Sequence, residues 1–122
     1  ATNPIPRREP EVVAEVAAMG RGSGCWTARH LPGARVVKAF NTVHVAVLAD
    51  QAFRLGDRVG VPLASDDPTA LDVAAALVRD AGHAPLVVGS LVRARDFDHG
   101  TPAWNSRATV AQLQDMLAQN SA

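Results

Sequence analysis

Apolar residues recur along the chain at helical spacing in some stretches and in short unbroken runs in others, and the changes between the two mark its elements. Val12, Val13, Val16 and Ala17, with Pro10 before them and Gly20 after, predict a short helix over about residues 9–19. Gly20, Gly22 and Gly24 then read as a flexible surface hinge, and residues 25–31 as one or two helical turns ended by Pro32-Gly33. Val36, Val37, Ala39 and Phe40 form a compact run, the pattern of a strand covered on both faces, interrupted by Lys38. Thr42 stands where its hydroxyl would cap a short helix through Val43, Val47 and Leu48. After a polar loop at residues 50–57, residues 58–65 read as a second strand, in which Pro62 lacks an N–H and predicts an edge position or a bulge.

The longest stripe follows: Asp67-Pro68, then Ala70, Leu71, Ala74, Leu77, Val78 and Ala81, closed by Gly82. Leu86, Val87 and Val88 make a third strand, so that strand, helix and strand occupy about 30 residues, the length of a right-handed parallel crossover. Near the end, Thr109 and Gln112 have the spacing of a capping box, and Val110, Leu113, Met116 and Leu117 share one face of a terminal docking helix. No repeat or linker divides the chain. The expectation is one α/β domain over residues 1–122, of three-layer type, with about three strands and four to five helices.

A chain of 122 residues can bury a core of its own. Its twelve basic and twelve acidic residues balance, which argues against nucleic acid, an anionic membrane or a strongly charged substrate as partner. Cys25 is the one cysteine and has no internal disulfide partner, which favours a reducing, cytoplasmic setting. No apolar run approaches the roughly 20 residues of a membrane span, and residues 1–8 hold no apolar signal core.

Candidate chemistry is sparse. Closely spaced glycines can let amides approach a phosphate, but that loop must follow a strand, and residues 20–24 follow a helix without the third glycine in place. The histidines, His30, His44, His83 and His99, have no helical metal-ligand spacing, and no Gly-x-Ser-x-Gly elbow supports a hydrolase. Lys38 is more informative, because an unpaired lysine inside an apolar strand would cost about 3 kcal/mol or more; it must reach an anion, an acceptor or solvent. Asn41 and Thr42 follow that strand at the end where ligands meet open α/β sheets, with helix capping as the plain alternative. Asn3-Pro4 is compatible with a simple turn, and Trp104 in a turn-rich loop either plugs the core edge or flanks a ligand.

Taken in order, Ala1-Thr2-Asn3-Pro4, the stretch Leu31-Pro32-Gly33-Ala34-Arg35-Val36-Val37-Lys38-Ala39-Phe40-Asn41-Thr42-Val43, Ala64-Ser65-Asp66-Asp67, Gly89-Ser90-Leu91-Val92-Arg93-Ala94-Arg95 and Pro102-Ala103-Trp104-Asn105 form a series. This series resembles the C-terminal half of the NADPH-dependent F-420 reductases, also described as F-420-dependent NADP oxidoreductases, and their short-chain relatives. The resemblance implies the later part of a Rossmann-like enzyme that moves hydride between NADP and a deazaflavin-like acceptor by stacking the two rings. It assigns cofactor-binding roles to Asn3, Pro4, Lys38, Asn41 and Thr42 and an acceptor pocket to Thr101, Pro102 and Trp104, with no catalytic side chain and no metal. The family's glycine fingerprint lies in an upstream half that these residues do not include. The chain is therefore expected to act with that half, supplied by the same gene or by a partner, and to leave an apolar edge or face near residues 36–40 uncovered. The alternative is a non-catalytic module derived from such an enzyme and used for self-association, as a dimer, or for partner binding.

Overall fold

In the computed structural model, which describes residues 2–120, the chain runs through α1 (Pro10–Met19), α2 (Gly22–His30), β1 (Val37–Lys38), α3 (Val45–Asp50), β2 (Gly60–Ser65), α4 (Pro68–Asp80), β3 (Ala84–Gly89), a 3₁₀ helix (Leu91–Phe97) and α5 (Val110–Asn120). The sheet order is β1-β2-β3, with β1 antiparallel and β3 parallel to the wholly buried β2. α4 makes the crossover between the parallel pair. Successive residues of β2 face opposite sides of the sheet. Val61 and Leu63 pack with Ala39 and with Ala74, Ala75 and Val78 of α4, whereas Ala64 packs with Ala94, Phe97, Ala103, Ala108 and Leu113. Helices thus cover both faces, and the three-layer α/β expectation holds.

Local chemistry fixes the ends of the long helices. Asp67 accepts the Ala70 amide at 3.1 Å and Pro68 takes the first helical position. Beyond α4, Gly82 has φ +88°, and a Cβ there would come within 2.6 Å of the Phe53 nitrogen, so only glycine fits. The capping box forms at α5: the Thr109 amide donates to Gln112 Oε1 at 2.9 Å, and the Gln112 amide to Thr109 Oγ1 at 3.3 Å. Leu113 and Leu117 are buried, with Met116 packed alongside.

Four expectations are corrected. Only Val37 and Lys38 pair as a strand, because Phe40 at φ +59° turns the backbone out of the extended region. β1 is therefore an edge, and its outer side is not covered: Val37, Ala39 and Phe40, with Val73 and Leu77 of α4 (59% and 56% exposed), border an open apolar groove of about 450 Å³. Pro62 lies in the central strand, which overturns the edge alternative and leaves that of a bulge. At its position β2 has β3 alone as neighbour, since β1 reaches only Ala64 and Ser65, so the missing N–H interrupts no second ladder; a register shift follows between Leu63 and Ala64. His44, not Thr42, caps α3, its Nδ1 accepting the Ala46 amide at 3.1 Å. Finally, the glycine cluster is no flexible hinge: Gly20 and Arg21 are at the surface as expected, but Gly22, Ser23 and Gly24 are buried in the first turn of α2.

Candidate functional site

Lys38 is the chain's one lysine, all other basic side chains apart from the histidines being arginine. It leaves β1 almost fully buried, at 4% exposure. Its Nζ donates to the Thr2 carbonyl and, at 2.8 Å, to Ser23 Oγ, and lies 3.7 Å from Asp98 Oδ1. Ser23 completes the relay: its hydroxyl donates to Asp98 Oδ1 at 2.5 Å and its amide to Oδ2 at 2.8 Å. Burial pulls the Lys38 ammonium below its ordinary 10.5, and the attraction and hydrogen bonding of Asp98 oppose that shift. A lysine suits this position because a compact ammonium can meet three neighbours at once.

Asp98 also settles what the glycine cluster does. The N-cap of α2 is Arg21, which offers no side-chain acceptor, so the Asp98 carboxylate, 75 residues away in sequence, takes the place of a local cap at the positive end of the helix. An internal anion occupies the spot a phosphate would need. The glycines themselves permit close packing: a Cβ on Gly22 would lie 2.8 Å from Arg95 Cβ, and one on Gly24 would lie 3.0 Å from Leu91 Cδ1, both on the 3₁₀ helix.

Asn3 and Asn41 bind each other reciprocally. Asn3 Nδ2 donates to the Asn41 carbonyl at 2.7 Å, while Asn41 Nδ2 donates to Asn3 Oδ1 at 3.1 Å and to the Phe97 carbonyl at 2.9 Å. Thr42 receives the Asn105 amide on its carbonyl at 2.8 Å, beside a crevice too narrow for a water molecule. Thr101 Oγ1 donates to the Asp98 carbonyl at 2.8 Å and the Trp104 amide to the Thr101 carbonyl at 3.1 Å; Pro102 is exposed on the same turn. The Trp104 ring meets His99 edge to face at 4.6 Å between centroids.

Of the eight residues singled out in the sequence, Asn3, Lys38, Asn41 and Thr101 are linked through the Asp98 turn and the N-terminal segment of chain beside it, whereas Thr42 faces a separate crevice with Val59 and Gly60. Lys38, Asn41 and Thr42 are at most 5% exposed; Asn3, Pro4, Thr101 and Trp104 are half-buried, and Pro102 is exposed. Pro4, alone of the eight, joins Pro6, Val13, Val16, Ser23, Asp98 and His99 in lining a cleft of about 220 Å³. Pro4 and Ser23 also border a wider hollow of about 560 Å³ running toward Val12 and Trp26. Ser23 and Asp98 escaped the sequence reading, and His99 entered it only as a possible metal ligand. Two signals pointed to a carboxylate in this position: a lysine in an apolar run, and a helix start with no acceptor of its own. Among the described residues no three His, Cys, Asp or Glu side chains are grouped to hold a metal ion, and no helix is long and apolar enough to cross a membrane.

No protein-family model matches the chain, and no curated protein matches it. Among solved structures, it is similar to the crystal structure of a hypothetical protein from Sinorhizobium meliloti, with 30% identity and a TM-score of 0.66 over 71% of this chain and 43% of that one. The likeness supports the α/β fold, and the chain spans less than half the length of that neighbour.

Proposed function

We propose that this domain is part of an NADP-linked oxidoreductase that transfers hydride between a nicotinamide and a deazaflavin-like acceptor, in concert with a nucleotide-binding segment outside these residues or on a partner. The supporting observation is that Asn3, Lys38, Asn41 and Thr101, far apart in sequence, are tied by hydrogen bonds and an ion pair to one another or to the turn that carries Asp98. Asn3 and Pro4 are accessible enough to meet the ring end of the cofactor. Lys38, Asn41 and Thr42 are too deeply buried to touch it and act as positioning residues. Thr101, Pro102 and Trp104 flank the acceptor side. The nicotinamide supplies the redox chemistry when bound; the protein supplies orientation and exclusion of water, which need no side-chain acid or base.

Among the described residues, no backbone loop is free to grip the phosphates of the adenosine diphosphate end of NADP. The amides at the start of α2 already serve Asp98, and no Gly-x-Gly-x-x-Gly follows a strand. The isolated domain is therefore expected to bind NADPH no tighter than high micromolar when titrated by nicotinamide fluorescence, and to gain affinity and hydride-transfer activity when joined to a nucleotide-binding segment. Submicromolar binding by the isolated monomer would contradict this dependence. A second reading, a non-catalytic self-association module, draws on the open apolar groove beside β1. A concentration-dependent dimer in sedimentation, together with no response to NADPH in any combination, would favour it.

A further inference from the structure

We infer that the 220 Å³ cleft between α1 and the loop after the 3₁₀ helix is the seat of a planar heterocycle of one or two rings that presents an amide or lactam N–H to Asp98. The inference rests on the oxidoreductase reading only in equating that heterocycle with the redox ring; the binding itself does not require it.

The cleft has the build of a small-ligand site, apolar walls with a few convergent polar groups. Pro4, Pro6, Val13 and Val16 form the walls, and Ser23, Asp98 and His99 the polar end. An apolar cavity of roughly 150 Å³ holds a benzene ring, so 220 Å³ admits a six-membered ring with a carboxamide, or a fused pair.

The polar end selects the ligand's hydrogen-bonding sense. Each Asp98 oxygen already accepts one bond from Ser23. A carboxylate has about four acceptor positions, so capacity is left on a side chain that keeps 17% exposure. Ser23 has no donor to offer, because its hydroxyl proton goes to Asp98 and its oxygen receives Lys38. Ser23 and Asp98 thus only accept, and a ligand atom set against them must donate. Lys38 lies behind the carboxylate and balances its charge, which makes a neutral N–H a sufficient partner, while an anionic ligand would meet the carboxylate oxygens directly. His99 offers a second polar contact: its ring is held edge-on by Trp104, and among the described residues its nitrogens have no hydrogen-bond partner.

α1 makes the roof. None of its residues is fully buried, and its half-buried Val13 and Val16 line the cleft instead of the core. A flat ring entering there would remove their apolar surface from water.

The test is a pair of ligands differing at the N–H. Nicotinamide and benzamide, added to the methyl- and amide-labelled domain, should shift the NMR signals of Val13, Val16, Asp98 and His99, with nicotinate and benzoate at least about 10-fold weaker. Val16→Phe, and independently Val13→Phe, should fill the cleft and abolish the amide shifts while circular dichroism shows the fold retained. Equal response to acid and amide, shifts confined to other residues, no shifts at all, or undiminished binding by a folded cleft-filling variant would overturn the proposal. The two readings separate cleanly: amide binding without any NADPH response in the joined protein leaves the cleft and removes the redox reading, whereas hydride transfer without amide binding does the reverse.

Discussion

Asp98→Ala is expected to destabilise the domain by about 3 kcal/mol at neutral pH, measured by urea unfolding. Removing the carboxylate strips the buried Lys38 ammonium of its counter-charge and leaves the amide and hydroxyl of Ser23 without their acceptor. It also uncaps α2, which has no side-chain acceptor at its own N-cap. Breaking one side of a buried pair costs about 3–5 kcal/mol, and the lower end applies because Asp98 is partly exposed and Lys38 can shed its proton. The deficit has a pH signature. Asp98 holds the Lys38 pKa up against desolvation, so in the variant that pKa falls further. A lowered folded-state pKa means that the unfolded chain binds more protons between that pKa and 10.5, and stability then rises with pH through that window. The gap between variant and parent should therefore narrow toward alkaline pH; a gap that is constant or widens would show that Lys38 does not feel the carboxylate.

Gly22→Ala should lower stability by a similar amount, about 3 kcal/mol, or roughly 10 °C in Tm for a domain of this size. Two penalties combine. The residue sits at φ +84°, where an L side chain costs about 1–2 kcal/mol. Its Cβ would also lie 2.8 Å from Arg95 Cβ and 3.0 Å from Arg95 Cα, so a helix or the 3₁₀ segment must move rather than a flexible side chain. Gly20→Ala is the control, since a Cβ there meets nothing within 4 Å and only the φ of +66° is strained. Equal effects in differential scanning calorimetry would mean that close packing of α2 on the 3₁₀ helix is not what the glycine permits.

What was legible in the sequence was whatever is decided within a few residues. Asp67-Pro68 opens α4, Gly82 closes it, and Thr109 with Gln112 opens α5, because each involves groups one turn apart. The parallel β2-α4-β3 crossover followed from those lengths. What failed depends on distant partners. A Gly-x-Gly-x-Gly string reads as a loop until the backbone of Arg95 comes against it, and the uncapped start of α2 calls for an acceptor without saying that it stands at position 98. β1 was read too long because the positive φ at Phe40 has no local signature in a bulky aromatic residue. The 3₁₀ helix buries Leu91, Ala94 and Phe97 at three-residue steps, a period carried by the sequence itself. At the site, order alone could not give depth or grouping: Lys38 is buried beneath Ser23 and Asp98, Thr42 faces another crevice, and the cleft's polar end belongs to Ser23, Asp98 and His99.

The arrangement of the whole sheet end rests on one ammonium group held out of water against Thr2, Ser23 and Asp98. Because the chain has a single lysine, incorporation of Cε-labelled lysine gives one carbon resonance whose pH titration reports that group alone. The titration midpoint is expected below 10.5, moving lower still in Asp98→Ala. A midpoint at or above 10.5, unchanged by that substitution, would place Lys38 in solvent and contradict the buried relay on which the cleft is built.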